Sequence, residues 1–275
     1  MRKDKRFQFQ IIFFFFIVAG TYFYINNTSS NSISTSKTDF LICMFLTAGL
    51  NKEAENSIAS LSNQKLHDKL VVSALDNEAF DHINGLGIRV VKRDTNLKKI
   101  ADFRTKEYND ILLNKLDIIL EHLKIDRKIV VYSDTDVVFL DDLFDDIERF
   151  KNSNYDMMIQ NDVPSFDEFD KSNLCAGFMF LKPNKKVIEI IKKSQKKALE
   201  RYMNDQQCLN EVLKNDDSIK YDVLNLRDFP NGKRYFDHVN SVFKEYTPKI
   251  VHNNWLFKTA DKVVRFKKHN LWFIQ

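Results

Sequence analysis

The sequence predicts one α/β domain with a mostly parallel central sheet. Short apolar runs of strand length, rich in β-branched residues, alternate with longer stretches of helical period. Several of these runs end in an acidic residue or a histidine, and α/β sheets bind ligands beyond the carboxyl ends of their strands. Residues 39–275 suffice for one large core. These observations predict a single domain with a polar site at one edge of its sheet.

The first 38 residues differ in composition from this predicted domain. A basic tail, residues 1–6, precedes an apolar stretch, residues 7–25, and a segment rich in Ser, Asn and Thr, residues 26–38. An apolar stretch of about 20 residues can cross a membrane, and the positive-inside rule leaves the basic end in the cytosol. The sequence therefore predicts a type II signal anchor, a flexible stem and a luminal domain. A cleaved signal peptide is the alternative, although no small-x-small cleavage site follows the apolar run.

Charge and cysteine content argue against two classes of function. The net charge of +4 is small and spread along the chain, so it gives no indication of nucleic-acid binding. Cys43, Cys175 and Cys208 lack the spacing of a metal site or of a disulfide framework. Neither a nucleic-acid partner nor a cysteine-ligated metal is therefore expected.

The first half of the domain is typical of the start of a nucleotide-binding α/β domain. An apolar strand ends at a tight turn, and a stretch with helical spacing follows it. The Gly-x-Gly-x-x-Gly and P-loop sequences are absent, so the usual dinucleotide and P-loop proteins are poor templates. The predicted strands of this half are residues 40–47, 70–76 and 88–91, and its predicted helices are residues 52–66 and 103–123.

Two acids follow a buried-type strand in the middle of the chain. Residues 129–132 form a β-branched run, Asp134 and Asp136 follow it, and a second apolar run covers residues 137–140. Side chains two residues apart in a strand can point at one object, and two such carboxylates repel unless a cation lies between them. Their hard oxygens suit Mg²⁺ or Mn²⁺. The alternative is a structural turn, because Asp and Thr favour turns.

The second half supplies further strand ends and helix starts. Its predicted strands are residues 155–160, 175–181, 221–226 and 249–252, and its predicted helices are residues 141–150 and 184–202, with another that opens at Asp205. His252 ends the last strand, and a histidine near two carboxylates can complete a divalent site. Lys258 stands six residues later in a basic, aromatic tail, where it could meet a phosphate.

Taken together, these segments resemble the metal-dependent GT-A glycosyltransferases. The resemblance is to the nucleotide-diphospho-sugar transferase domain of retaining xylosyl- and galactosyltransferases, and more distantly to glycogenin-like enzymes. It covers roughly residues 40 to 260, where four pieces occur in the family's order. The pieces are Asp134-Thr135-Asp136, Ala176-Gly177-Phe178, Asp205-Gln206, and His252 with Lys258.

The resemblance implies a GT-A fold, a role for each site residue, and a reaction. Asp134, Asp136 and His252 would bind Mn²⁺ or Mg²⁺, with Asp134 also at the ribose. Asp205 and Gln206 would lie beside the transferred sugar and the acceptor, as candidate catalytic residues. The other residues expected at the donor are Thr47, Ala48 and Asp76 in the nucleotide pocket, Lys115 near the donor, and Lys258 at the diphosphate.

The reaction implied by this resemblance is sugar transfer with retained anomeric configuration. The donor would be a nucleotide-diphosphate sugar, expected to be a UDP-sugar. The acceptor would be a hydroxyl of a glycan, glycoprotein or glycolipid. A type II topology together with this activity implies a location in the Golgi lumen.

Two alternatives remain at this point. Val130 to Val138 also resembles the first motif of haloacid-dehalogenase-type phosphatases, with Asp134 as nucleophile and Asp136 as acid/base. In the phosphatases this motif is expected near the start of the domain, whereas here a long α/β pattern precedes it. The phosphatase class also leaves His252 without a role. The second alternative is a catalytically inactive luminal binding protein on the same fold.

Overall fold

The computed structural model describes residues 39–93, 106–166, 171, 173–201 and 203–275. The predicted basic tail, signal anchor and stem, residues 1–38, lie outside the described residues. Within the described ranges, no helix is both long enough and apolar enough to cross a bilayer.

Seven of the nine strands in the described residues form one central sheet. Its order is β3-β2-β1-β4-β7-β6-β8. The neighbouring pairs β3–β2, β2–β1, β1–β4 and β6–β8 are parallel, whereas β7 is antiparallel to both β4 and β6. The predicted mostly parallel sheet is therefore confirmed. The strands are β1 Phe40–Leu46, β2 Leu70–Ala74, β3 Val90–Lys92, β4 Ile129–Ser133, β5 Val137–Phe139, β6 Met157–Asn161, β7 Leu174–Leu181, β8 Tyr221–Val223 and β9 Ile250–His252.

Helices cover both faces of the sheet. Side chains from α3, α5 and α6 pack in one apolar cluster, and side chains from α1, α2 and α4 pack in another on the opposite face. Every residue of β1, β4 and β7 is consequently buried, which explains why these strands are continuous apolar runs rather than alternating ones. The helices are α1 Asn51–Asn63, α2 Asn77–Gly85, α3 Lys106–Ile125, α4 Phe144–Asn152, α5 Lys185–Arg201, α6 Asp205–Lys214, α7 Gly232–Asp237 and α8 Thr259–Lys268.

A separate two-stranded sheet brings His252 close to the Asp-x-Asp turn. β5 follows β4 after a short turn and pairs antiparallel with β9. In this pairing Val137 lies opposite His252, so a residue near the chain's end is brought beside the Asp-x-Asp turn. A third apolar cluster, which includes Val138, Val251 and Phe266, supports this small sheet.

Three helices were not predicted from the sequence. α2 and α7 are short, and α7 begins at Gly232, within a Pro-Asn-Gly stretch that is typical of a turn. α8 lies in the segment interpreted as a basic, aromatic tail, and Phe266 is its one buried residue. α8 is ten residues long and rich in lysine and arginine, so its short apolar pattern does not by itself distinguish a helix from a basic tail. The sequence also predicts an irregular, acidic segment over residues 163–173, which lies partly outside the described residues.

Candidate active site

The two acids of the Asp-x-Asp sequence lie in the turn between β4 and β5. The backbone N–H of Asp134 donates to the carbonyl of Gly177 in β7, at 2.8 Å. The carbonyl of Asp136 accepts from the N–H of Asn253, also at 2.8 Å. The turn is therefore fixed on one side by the central sheet and on the other by the segment after β9.

Asp134, Asp136 and His252 form a compact cluster. Each offers one ligand atom, and these atoms lie within 4.8 Å of one another. His252 Nε2 is 3.3 Å from Asp136 Oδ1 and 4.0 Å from Asp134 Oδ2. Asp136 and His252 are buried, whereas the Asp134 side chain is 30% exposed. Two carboxylates and one imidazole suit a divalent cation of the Mg²⁺ or Mn²⁺ kind, and the exposed part of Asp134 leaves one side of the cluster open to a ligand.

A buried glutamine fixes the tautomer of His252. Gln160 Nε2 donates to the carbonyls of Phe229 and Pro230, at 3.2 and 3.0 Å, so its Oε1 faces the imidazole. Oε1 is 2.6 Å from His252 Nδ1, which must therefore carry the proton and donate it. The lone pair of Nε2 is thus left pointing at the two acids, as a metal ligand requires.

We expect Gln160→Leu to weaken Mn²⁺ binding by about tenfold, because loss of this acceptor releases the ring orientation and the tautomer. Calorimetric titration with Mn²⁺ measures the change, and a thermal melt checks that the fold survives. Gln195→Leu, at a half-buried glutamine on α5 that donates to Asp117, is the control. Unchanged affinity in a folded Gln160→Leu protein would remove Gln160 from the site.

Asp136 is paired with Lys262, a lysine that sequence reasoning missed. Its Nζ is 2.7 Å from Asp136 Oδ2. Burial by itself lowers the pKa of Lys262, but the neighbouring Asp136 raises it above the usual value, so the ammonium stays charged. Burial by itself raises the pKa of Asp136, but the Lys262 ammonium holds it well below its usual range. Lys258 is exposed and stands at the N-cap position of α8, where its side chain makes no capping hydrogen bond. Its contact with a diphosphate stays a prediction.

Lys115 is buried between two predicted site residues. Its Nζ is 3.1 Å from Asp134 Oδ1 and 2.8 Å from Asp205 Oδ2. The hydroxyl of Tyr132 also donates to Asp134 Oδ1, at 2.6 Å, and burial raises the pKa of that phenol. The contacts from Lys115 and Tyr132 fix the Asp134 side chain. Through Lys115 they also place Asp205, at the start of α6, beside Asp134. The lysine thus lies next to the cluster, and its place near the donor stays a prediction.

Gln206 connects α6 to a carboxylate that sequence reasoning missed. Its Oε1 accepts from the N–H of Ala176 at 3.2 Å, and its Nε2 donates to Asp162 Oδ2 at 2.9 Å. Asp162 is partly buried, and burial raises its pKa against the hydrogen bonds that lower it. It directly follows β6, just as Asp134 directly follows β4, so the rule that strand ends carry site residues would have found it.

Thr47, Ala48 and Asp76 lie at the carboxyl ends of β1 and β2. Asp76 caps α2, with Oδ1 accepting from the N–H of Ala79 at 2.9 Å. Its Oδ2 accepts from the N–H of Ala48, also at 2.9 Å. Both oxygens therefore fasten the turn after β1 to α2, which is a structural role. Contact of these three residues with a nucleotide stays a prediction.

The comparisons with known proteins agree with this geometry. Residues 65–266 match the sequence profile of the nucleotide-diphospho-sugar transferases. A UDP-galactose:fucoside alpha-3-galactosyltransferase of Dictyostelium discoideum is 29% identical over 165 residues, which are 53% of this chain and 25% of that protein. The UDP-D-xylose:L-fucose alpha-1,3-D-xylosyltransferase MGP4 of Arabidopsis thaliana is 25% identical over 244 residues, which are 80% of this chain and 66% of that protein. The chain thus spans a quarter of the first relative and just under two thirds of the second.

Solved structures share the fold at low sequence identity. A glycosyltransferase involved in the glycosylation of the major capsid of PBCV-1 superimposes with a TM-score of 0.54 at 13% identity, covering 84% of this chain and 99% of that one. The glycosyltransferase GlyE of Streptococcus pneumoniae TIGR4 gives 0.52 at 16% identity, covering 86% and 61%. These similarities confirm an α/β fold of the GT-A type. The matched residues include the whole cluster of Asp134, Asp136 and His252, and the chain belongs to the nucleotide-diphospho-sugar transferase family.

Proposed function

We propose that this protein is a divalent-metal-dependent glycosyltransferase that moves a sugar from a UDP-sugar to an acceptor hydroxyl, with retained anomeric configuration. The observation that carries the proposal is the cluster of Asp134, Asp136 and His252 at the end of β4, with the charged Lys262 attached to it. Membership in the nucleotide-diphospho-sugar transferase family leaves the phosphatase alternative without support. The phosphatase class also assigns no role to His252.

The chemistry requires stabilisation of a departing diphosphate. The bond between the anomeric carbon and the diphosphate oxygen breaks, and a bond to the acceptor oxygen forms, while the acceptor proton leaves with the UDP phosphate. A divalent cation bound at the cluster supplies charge neutralisation at the diphosphate. Lys262 can offer its ammonium to a phosphate oxygen as a point charge. Asp134 and Asp136 contribute by holding the cation in place.

We propose a fucose-bearing glycan as the acceptor. The relatives in Dictyostelium and Arabidopsis are named for different donors, UDP-galactose and UDP-D-xylose, but both names give fucose as the acceptor and an alpha linkage as the product. Conversion of an α-linked UDP-sugar into an α-linked product is retention. The donor sugar is therefore the variable to screen, with UDP-xylose and UDP-galactose first.

We also propose that the domain faces the Golgi lumen, anchored by residues 7–25. This proposal is supported by the basic tail and apolar stretch of the sequence. Protease treatment of sealed microsomes that contain the full chain tests it, because a luminal domain is protected until detergent is added. Digestion of the domain in intact microsomes would contradict it.

The first experiment is calorimetric titration of the full chain in mild detergent with UDP, with and without Mn²⁺. We expect UDP binding that depends on Mn²⁺, followed by sugar transfer from a UDP-sugar to methyl α-L-fucoside. A folded sample that binds UDP with Mn²⁺ but transfers no sugar and hydrolyses no donor would be an inactive binding protein. A folded sample that binds no UDP under either condition would contradict the proposal.

A further inference from the structure

Trp255 has an unusual conformation for a tryptophan beside an active site. It follows the metal-ligand candidate His252 by three residues, its backbone φ is 63°, and 49% of the residue is exposed. A bulky residue in the left-handed region is strained. Such strain persists when surrounding contacts over-determine it, and it is concentrated at functional sites.

Trp255 and its neighbour Asn254 are both hydrogen-bonded to one carboxylate of the candidate active site. The indole Nε1 of Trp255 donates to Asp162 Oδ1 at 3.1 Å, and Asn254 Nδ2 donates to the same oxygen at 3.1 Å. The other carboxylate oxygen accepts from Gln206. Asn254 is itself held, because its Oδ1 accepts from the N–H of Gly232 at 2.7 Å. Hydrogen bonds therefore fix the polar edge of the indole ring, while about half of the residue's surface remains exposed.

The sheet order places Trp255 on a defined side of the cluster. β1, whose carboxyl end is expected to line the nucleotide pocket, is next to β4 on one side. β7 and then β6, which leads to Asp162, lie on the other side. Because Asp162 holds the indole, the ring lies on the β6 side of the cluster. A nucleotide that extends from the cluster toward β1 leaves the ring available to another molecule.

We propose that Trp255 is the stacking platform for the acceptor sugar, oriented by Asp162. The C–H groups on one face of a pyranose carry partial positive charge, and the face of an indole ring carries the negative part of its quadrupole. The ligand class is a pyranoside that enters from solvent and presents a hydroxyl to the donor. This inference rests on the proposed transferase function and adds to it the residue that selects the acceptor.

Kinetics of Trp255→Ala separates acceptor binding from donor binding. We expect its acceptor KM to rise by roughly tenfold, while the donor KM and the Mn²⁺-dependent affinity for UDP stay within about twofold of the unchanged protein. Trp255→Phe keeps an aromatic ring but loses the hydrogen bond to Asp162. Its acceptor KM should therefore lie between those of the unchanged protein and Trp255→Ala. The control is Trp272→Phe, which alters a partly buried tryptophan near the C-terminus. An unchanged acceptor KM, or an equal loss of UDP affinity, would overturn the proposal.

Fluorescence tests the platform without catalysis. The chain has two tryptophans, so the Trp272→Phe protein reports on Trp255 alone. We expect a saturable change in emission on titration with at least one of the methyl glycosides of galactose, glucose, mannose, xylose and fucose. No change with any of them would overturn the platform. Absence of UDP binding by the unchanged protein would contradict the transferase proposal. The failure of that proposal can therefore be distinguished from failure of the stacking platform.

Discussion

Asp136→Asn is expected to abolish Mn²⁺-dependent UDP binding and to reduce sugar transfer by about three orders of magnitude, which is about 4 kcal/mol of transition-state stabilisation. Asp136 Oδ1 is 3.3 Å from His252 Nε2, and its Oδ2 is 2.7 Å from Lys262. The substitution therefore removes a buried ligand and also the partner that keeps Lys262 at the cluster. Calorimetry with UDP and Mn²⁺ measures the first effect, and transfer kinetics measure the second.

The matched control for this substitution is Asp141→Asn. Asp141 lies five residues further along the chain, its side chain is 52% exposed, and it pairs with Lys249 away from the cluster. Exposed ion pairs contribute little to stability, about 0–1 kcal/mol, so activity should hardly change. Full transfer activity in a folded Asp136→Asn protein would show that the cluster is not the reacting site.

The sequence was sufficient to bring Asp134, Asp136 and His252 together because these residues lie at strand ends. Asp134 and Asp136 follow a continuous apolar run, and such a run indicates a strand buried on both faces. His252 ends a second apolar run. The carboxyl ends of strands carry the ligands in α/β sheets, so this rule points to the three residues from the sequence alone. It would have selected Asp162 as well, since that residue stands directly after β6.

The other site residues could not be predicted because tertiary contacts define them. Gln160 acts on His252 across 92 residues of sequence, and no local pattern distinguishes it from other strand residues. Lys262 lies on α8, a segment that the sequence presents as a basic tail, and its pairing with Asp136 depends on where the fold places that helix. The sequence points instead to Lys258, which stands six residues after His252. The strained backbone of Trp255 depends on contacts with Asp162 that sequence alone does not show.

Gly177→Ala is expected to displace the side chains of the cluster formed by Asp134, Asp136 and His252. The affinity for UDP in the presence of Mn²⁺ should fall by about a hundredfold. A Cβ at this position of β7 would lie 2.6 Å from Asp134 Oδ2 and closer still to His252 Cε1, distances that real Cβ atoms essentially never show. His252 cannot withdraw, because it is 2% exposed and Gln160 holds it on its other nitrogen. Asp134 must therefore move away from His252, at a cost in stability of about 1–3 kcal/mol.

Gly85→Ala is the matched control for this glycine, because a Cβ at the end of α2 would meet nothing within 4 Å. It should leave UDP binding unchanged and should stabilise the helix by about 0.5–1 kcal/mol. Both variants are compared by thermal melting and by titration at a temperature where each is folded. Retained affinity in Gly177→Ala would mean that the ligands tolerate displacement and that the cluster does not need the spacing seen here. Lost affinity with a melt only slightly lowered would assign the effect to cluster geometry rather than to unfolding.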